Sequence, residues 1–461
     1  MVSAVQNEQE TYRVIVLDRS GAQVLLVPNG QHHSLPWVEL PRWQRVAENL
    51  TVAVREEWGE EIVGLFELPA DNDGICYLAA EHLCTRCDPK MPTRWLRLAA
   101  LAEDLPFEYC DYTAIEKVTR LCRGEIEGAF AGPFARLGWF YELRTWIDSV
   151  VEPIGFHVTG EFRQLNASPR FSLLRFETDG PALWFKAVGE PSHREFAITC
   201  ALAQLFPDHL PRMMATRPGW SGWLSGEVEG KLLSQVEEQA GWERAAAALA
   251  RLQIESIDRG SQILGAGAHD LGFTVLSELV EPFLNGMEQL MERQTKVPPA
   301  VLDRNDLRAL ADSLQSGLDA MEASGIPDAL GHLDLNPGNI IVSADRCVFL
   351  DWAEAYVGNP LFSLEYLVQH AQRAFGERSE LRTKLTAAYC AEWGNAISAA
   401  VIADVLGLAP LLAVFAYAAG TDTWRQPQEL QDPVAGYLRS LTRRMHREAK
   451  RLADRRTLCP Q

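Results

Sequence analysis

Gly331-His332-Leu333-Asp334-Leu335-Asn336-Pro337-Gly338-Asn339-Ile340-Ile341-Val342, followed by Val348-Phe349-Leu350-Asp351-Trp352, decides the reading of this chain. An Asp, an Asn five residues on and a second Asp twelve residues beyond that are the side chains phosphoryl transfer asks for. One carboxylate must lie beside an attacking hydroxyl, while an amide oxygen and a second carboxylate hold a cation against phosphate oxygens. Asn339 lies a helical turn or a tight loop away from Asp334. Asp351 ends an apolar run, Cys347-Val348-Phe349-Leu350, that reads as a strand. A hairpin therefore gathers the three polar groups.

This segment resembles the catalytic loop of the aminoglycoside phosphotransferase and choline kinase-like family, distant relatives of protein kinases. That family writes the region as His-Gly-Asp-x4-Asn and then a strand ending in Asp-Trp; here Leu333 stands in place of the Gly. The resemblance implies an α+β, bilobal protein-kinase-like fold with a β-rich small lobe and a helical large lobe. It implies Asp334 as catalytic base, Asn339 and Asp351 as Mg2+ ligands, and His332 as a brace of the loop. ATP or GTP would be the donor, and a small-molecule hydroxyl the acceptor. Downstream, Gly358-Asn359-Pro360-Leu361-Phe362-Ser363 replaces the family's Gly-Asp-Pro-x2-Asp, so both aspartates are missing. The second of them anchors the catalytic loop; Ser363 would fill part of that role, less firmly.

The family also needs a strand lysine with a helix glutamate. Ala182-Leu183-Trp184-Phe185-Lys186-Ala187-Val188 is an apolar run with one embedded Lys, which is costly to bury without an anionic partner. Ser192 to Thr199 reads as the start of a helix, with Ser192 as N-cap and Glu195 at the capping-box position. By resemblance Lys186 contacts the nucleotide phosphates and Glu195 steadies it, with Glu190 as the alternative partner. Phe156–Phe162 and Phe171–Thr178 read as strands, and residues 163–170 between them as a phosphate-covering loop. That loop lacks a glycine run, and Ser168 is its candidate nucleotide contact. Trp220–Ser225 reads as the strand before a hinge.

The chain has 461 residues, 47% of them hydrophobic, which suggests two or three globular domains. A formal charge of −19 argues against a nucleic-acid partner and suits a cationic substrate. Nine scattered cysteines and no leader-like segment suggest reduced thiols and a cytoplasmic location. Cys84-Thr85-Arg86-Cys87 is a CxxC without a second pair, so plain thiols are favoured over zinc. Val401–Gly420 nearly has the length of a membrane span. Asp404, Gly407 and Pro410 interrupt it, so two buried helices are expected and no membrane partner. Tyr437–Arg456 reads as a last helix, basic outside, with Leu438, Leu441, Met445 and Leu452 on its packing face. The oligomeric state is left open.

Residues 11–27 form a strand, a Ser-Gly turn and a second strand, and Asn49–Glu61 is a charged helix-like run. This region resembles a Nudix domain, an α/β/α fold whose helix gathers glutamates around magnesium. Arg55, Glu56 and Glu60 fit its box, and Glu48 is an early-Glu candidate with altered spacing. Arg42 and Trp43 replace the paired glycines, and Gly59 sits where a metal-binding Glu belongs. The box is degenerate, which favours binding or regulation over hydrolysis. Phe134, Leu137, Phe140, Leu143 and Ile147 recur at helical spacing and predict a linker helix that packs on the small lobe. The expected domains are residues 1–132 (Nudix-like), 133–225 (small lobe) and 226–461 (large lobe). The acceptor site is expected on helices within 235–325 and after 361. Besides an active small-molecule kinase, a nucleotide-binding pseudokinase and a bifunctional enzyme with Nudix hydrolase activity stay open.

Overall fold

Alternation along β1 (Gln9–Leu17) sets the layering of the N-terminal region. Ile15 and Leu17 enter one core, while Tyr12, Val14 and Val16 enter another beside Leu50, Val54 and Trp58 of α1 (Val46–Trp58). A strand buried on both faces needs cover on both sides. On the other face the cover includes α2 (Tyr109–Cys122) and α3 (Trp139–Val151). The sheet adds β2 (Gln23–Asn29), β3 (His32–Ser34), β4 (Trp37–Pro41), β5 (Ile62–Leu68), β6 (Cys76–His82) and β7 (Arg94–Arg97). Its order is β3-β2-β1-β6-β5, with β4 paired to β1 and β7 to β2. The β1–β6 pair is parallel.

The computed structural model describes residues 9–30, 32–41, 45–68, 76–83, 92–100, 109–126, 130–376, 379–394 and 396–458. The Cys84/Cys87 pair and the Arg42/Trp43 replacement lie outside the described residues. The chain divides into two compact units, one of residues 1–196 with 212–227 and one of 197–211 with 228–461.

In the first unit a second sheet follows α3, built from β8 (Val158–Ala167), β9 (Ser172–Thr178), β10 (Leu183–Ala187), β11 (Met213–Arg217) and β12 (Gly222–Gly226). All of its pairings are antiparallel, in the order β11-β12-β10-β9-β8. Leu174, Phe176, Leu183, Phe185 and Leu224 of this sheet share a core with Ile15, Ile115 and the α3 face Trp139, Phe140, Leu143, Ile147 and Val151. The helix expected between the two regions therefore starts at Trp139. Phe134 precedes it yet is buried in the same core.

Two strand boundaries differ from expectation. The strand expected to stop at Phe162 continues to Ala167, so the supposed 163–170 loop shrinks to a turn at 168–171. The reason is Gln164, whose amide exchanges two hydrogen bonds with the Gly64 backbone and extends the strand (2.7 and 2.9 Å). The strand expected from Trp220 starts at Gly222 instead. Pro218–Trp220 is a 3-10 turn, and Ser221 has positive φ.

α4 (Arg194–Leu205) begins with residues of the first unit. The second unit is mostly helical: α5 (Gln239–Ser256), α6 (Gly260–Gly265), α7 (Phe273–Glu292), α8 (Arg304–Ala323), α9 (Leu361–Phe375), α10 (Ser379–Trp393), α11 (Ala399–Leu406), α12 (Ala409–Gly420) and α13 (Asp432–Leu458). Two small sheets complete it. One holds β13 (Lys231–Leu232), β16 (Ile340–Val342) and β17 (Cys347–Phe349); the other holds β14 (His269–Leu271), β15 (Ala329–His332) and β18 (Ala355–Gly358). A five-stranded antiparallel sheet with its helix and a helical unit are the parts of the expected kinase-like α+β fold.

The apolar stretch 401–420 is two helices, α11 and α12, bent by 72°. Pro410 stands at the start of the second, where its missing N–H costs nothing. Leu411, Leu412, Val414 and Phe415 lie in the core of the unit. Among the described residues, no single helix is long and apolar enough to cross a membrane.

Candidate active site

Alternation again places Lys186. Leu183, Phe185 and Ala187 face the core, so Trp184 and Lys186 point to the other side of β10. There the Lys186 ammonium lies 5.8 Å from the ring centres of both Phe171 and Trp223. It donates to Glu195 Oε1 of α4 at 2.6 Å, and the Glu195 side chain is only 2% exposed. A pair this buried is held by mutual need, since removing one partner leaves an uncompensated charge. Glu190, the alternative partner, instead pairs with His193 at the surface (3.0 Å). Ser168 closes the β8–β9 turn: its Oγ accepts the Phe171 N–H (3.0 Å), and its own N–H donates to the Phe171 carbonyl (3.0 Å).

The Asp334 group belongs to the second unit. Leu333 and Leu335 are buried in its core, which turns the intervening Asp334 out to solvent. This explains the Leu at 333: it anchors the loop. Pro337–Asn339 is a 3-10 turn, so Asn339 follows Asp334 by a tight loop, not a helix. Asn339 Nδ2 donates to the Asp334 carbonyl (3.0 Å) and approaches its carboxylate (3.5 Å). Asn336 Oδ1 accepts the Gly338 N–H (2.8 Å), and its Nδ2 donates to Asp334 Oδ1 (3.3 Å). Among the described residues the Asp334 carboxylate meets these amides and no Lys or Arg.

His332 ties this loop to the segment after β17 that carries Asp351. The Asp334 N–H donates to its Nδ1 (3.1 Å), so Nε2 carries the proton and donates to the Leu350 carbonyl (3.0 Å). The ring packs on Trp352 with centres 4.9 Å apart. Burial pushes the His332 pKa below its ordinary value, against the pull of the Leu350 carbonyl and nearby carboxylates. The imidazole is a neutral strut. Between Leu350 and the buried Trp352, Asp351 takes a left-handed conformation (φ 62°) and is exposed. A non-glycine residue there is strained and marks a site of interest.

Ser363 of α9 anchors the loop from behind. Its hydroxyl accepts the His332 N–H (2.9 Å) and shares a hydrogen bond with the Tyr356 hydroxyl (3.1 Å). Tyr356 OH also reaches the Asn359 carbonyl (3.0 Å), and Asn359 Oδ1 accepts the Leu361 N–H (3.0 Å). The Tyr356 ring lies over Gly331, where an added Cβ would stand 1.9 Å from it. Sequence reading missed Asn336 and Tyr356. Asn336 had a local signal, an Asn two residues from the candidate base and directly before Pro-Gly. Tyr356 had none, because its role arises from pairing β15 with β18.

The magnesium ligands implied by the resemblance are tested by donor chemistry. With Asn339 Nδ2 turned to Asp334, its Oδ1 is the atom left for a cation. Together with the Asp351 carboxylate this makes the oxygen set that magnesium prefers. The residues fit.

In the N-terminal region, Gly59 takes a left-handed conformation (φ 73°) and its N–H closes α1 on the Arg55 carbonyl. The position where the Nudix resemblance would put a metal-binding Glu is thus the helix stop. Glu48 is ion-paired with Arg163 of β8. Glu60 accepts from Thr93 (2.9 Å) and pairs with His82 (2.8 Å).

Residues 219–398 match the model of the "Phosphotransferase enzyme family". No curated protein sequence matches the chain. Solved structures similar to it include an ethanolamine kinase of Plasmodium vivax, 13% identical, covering 72% of this chain and 94% of that one (TM-score 0.47). A choline kinase of Cryptosporidium parvum is 10% identical over 68% and 96% of the two chains (TM-score 0.47). A macrolide 2'-phosphotransferase of Brachybacterium faecium is 15% identical over 63% and 99% (TM-score 0.40). The stretch that carries Asp334, Asn339 and Asp351 lies within the residues that match the phosphotransferase model.

Proposed function

We propose that this protein transfers the γ-phosphoryl group of ATP or GTP to a hydroxyl of a small molecule of the aminoglycoside, sugar or amino-alcohol kind. The observation that carries the reading is the environment of Asp334: an exposed carboxylate, oriented by two neutral amides and braced through His332 to the Leu350 carbonyl, next to Asp351. The acceptor hydroxyl gives its proton to Asp334 as its oxygen bonds to the γ-phosphorus. The bond from that phosphorus to the bridging oxygen breaks, and a nucleoside diphosphate leaves. The amides of Asn336 and Asn339 suit this role because they fix the direction of the Asp334 carboxylate. Asn339 and Asp351 would hold the magnesium, which supplies charge neutralisation on the phosphates. Lys186, steadied by Glu195, would contact the nucleotide phosphates.

The pseudokinase alternative rested on a loop loosened by the loss of two aspartates. The Ser363 and Tyr356 hydroxyls supply an anchor, which favours the active reading. Nudix-type hydrolysis finds little support, since Glu48 and Glu60 are engaged and Gly59 ends α1. A regulatory or supporting role for residues 1–132 fits better.

The test is thermal stabilisation by ATP and by GTP, with and without magnesium, beside Asp351→Ala. Magnesium-dependent stabilisation that the variant loses is expected, and then identifies the donor. Absence of any shift in the wild-type protein defeats the donor-site reading.

A further inference from the structure

Outside the residues assigned above, one backbone contact stands out in the first unit. The connector before α3 meets the β8–β9 turn. The Phe134 N–H donates to the Pro169 carbonyl (3.1 Å), and Arg170 Nε donates to the Ala131 carbonyl (2.8 Å). Between them lies Gly132. A Cβ there would stand 1.9 Å from the Pro169 oxygen, so only glycine lets the two backbones come this close. The other side of the same turn faces the strand of Lys186. Arg170 packs on Gly189, where an added Cβ would fall 2.5 Å from its own Cβ. The Phe171 ring lies 5.8 Å from the Lys186 ammonium. Phe134, next to the contact, packs edge-on against Phe185, the neighbour of Lys186 (6.3 Å).

The strand leading into the turn is fixed as well. Gln164, 1% exposed, pairs with the Gly64 backbone of β5 through both amide atoms. A short turn with one face on Lys186 and the other on the connector leaves little freedom for movement.

We propose that the connector Ala131–Phe134, with Gly132 as its contact point, is a positioning element for nucleotide binding. It holds the 168–171 turn beside Lys186, and so makes the N-terminal region an integral part of the donor site. This rests on the phosphotransferase reading. It assigns to residues 1–134 a role that needs no catalysis of their own.

The test uses the full chain carrying Gly132→Ala or Arg170→Ala. Dissociation constants for magnesium-ATP and magnesium-GTP are measured by calorimetry, beside the unfolding midpoint without nucleotide. Gly132→Ala should weaken nucleotide binding about tenfold, the equivalent of roughly 1.4 kcal/mol. Arg170→Ala, which removes one exposed hydrogen bond, should weaken it about threefold. Backbone exchange at Phe134 and Phe171 should quicken in both. A purely structural role would lower the midpoint and leave the affinity of the folded protein unchanged, and that result overturns the proposal. If Gly132→Ala does not fold, Arg170→Ala decides by the same criterion. Wild-type binding with unchanged variants sinks the positioning role alone; a wild-type protein that binds neither nucleotide sinks it together with the donor-site reading.

Discussion

Acidic side chains gather in two regions of this chain, around α1 and in the hairpin of Asp334, and their neighbours treat them in opposite ways. Near α1, Glu48 is paired with Arg163 and Glu60 with His82 and Thr93. At the hairpin, Asp334 is exposed and oriented by the amides of Asn336 and Asn339. A carboxylate tied to another side chain is committed to that partner. A carboxylate held by two amides keeps its direction. Motif spacing alone does not reveal that difference, because both regions offer closely spaced acids. The partners of each acid do.

The largest expected effect tests the hairpin side of this comparison. Asp334→Ala should lower turnover roughly 10³-fold, the usual range for a positioned general base. It should leave nucleotide-dependent stabilisation in place, read by initial rates and by thermal shift. Turnover within a few-fold of wild type would remove the base assignment. The matching change near α1, Glu60→Gln, should leave turnover unchanged; a comparable loss there would break the contrast.

A smaller effect comes from the anchor behind the loop. Ser363→Ala leaves the buried His332 N–H without its acceptor, which should cost about 1–3 kcal/mol of stability. Denaturant unfolding measures this directly. Ser363 was legible as a replacement for the family's aspartate. What it bonds to was not, because Tyr356 joins it only through the β15–β18 pairing. The same holds elsewhere. The strand position of Lys186 and the nearness of Asn339 to Asp334 could be read from local spacing, since strand alternation and a Pro-Gly turn are local properties. The end of β8 could not: it depends on Gln164 meeting Gly64, one hundred residues away. The stop signal of α1 is local too, since Gly59 supplies the left-handed residue that ends it.

His332 makes the hairpin sensitive to pH. Burial holds its folded pKa below the ordinary 6.5. The folded state therefore binds fewer protons than the unfolded chain. Its stabilising contribution is complete above about pH 6.5 and is lost as pH falls below that value toward the folded pKa. The slope from this one group is at most about 1.4 kcal/mol per pH unit. Urea midpoints from about pH 8 to pH 5 should fall on the acid side in the wild-type protein. They should fall less in His332→Gln, which cannot take up the proton. Parallel profiles would mean that other groups carry the acid sensitivity.

The smallest expected effect lies on the α1 side. Arg163 is 61% exposed, and an ion pair so accessible contributes about 0–1 kcal/mol after screening by water and salt. Glu48→Gln should therefore leave the unfolding midpoint almost unmoved, and more so at high salt. If Glu48 instead served a metal, the same substitution would abolish a magnesium-dependent shift in the absence of nucleotide. Magnesium titration of the wild-type and Glu48→Gln proteins, monitored by thermal shift without nucleotide, separates the two. A structural pair predicts no difference between them. A magnesium response that disappears with Glu48 would mean that α1 still gathers a cation, and the division between engaged and available acids would have to be redrawn.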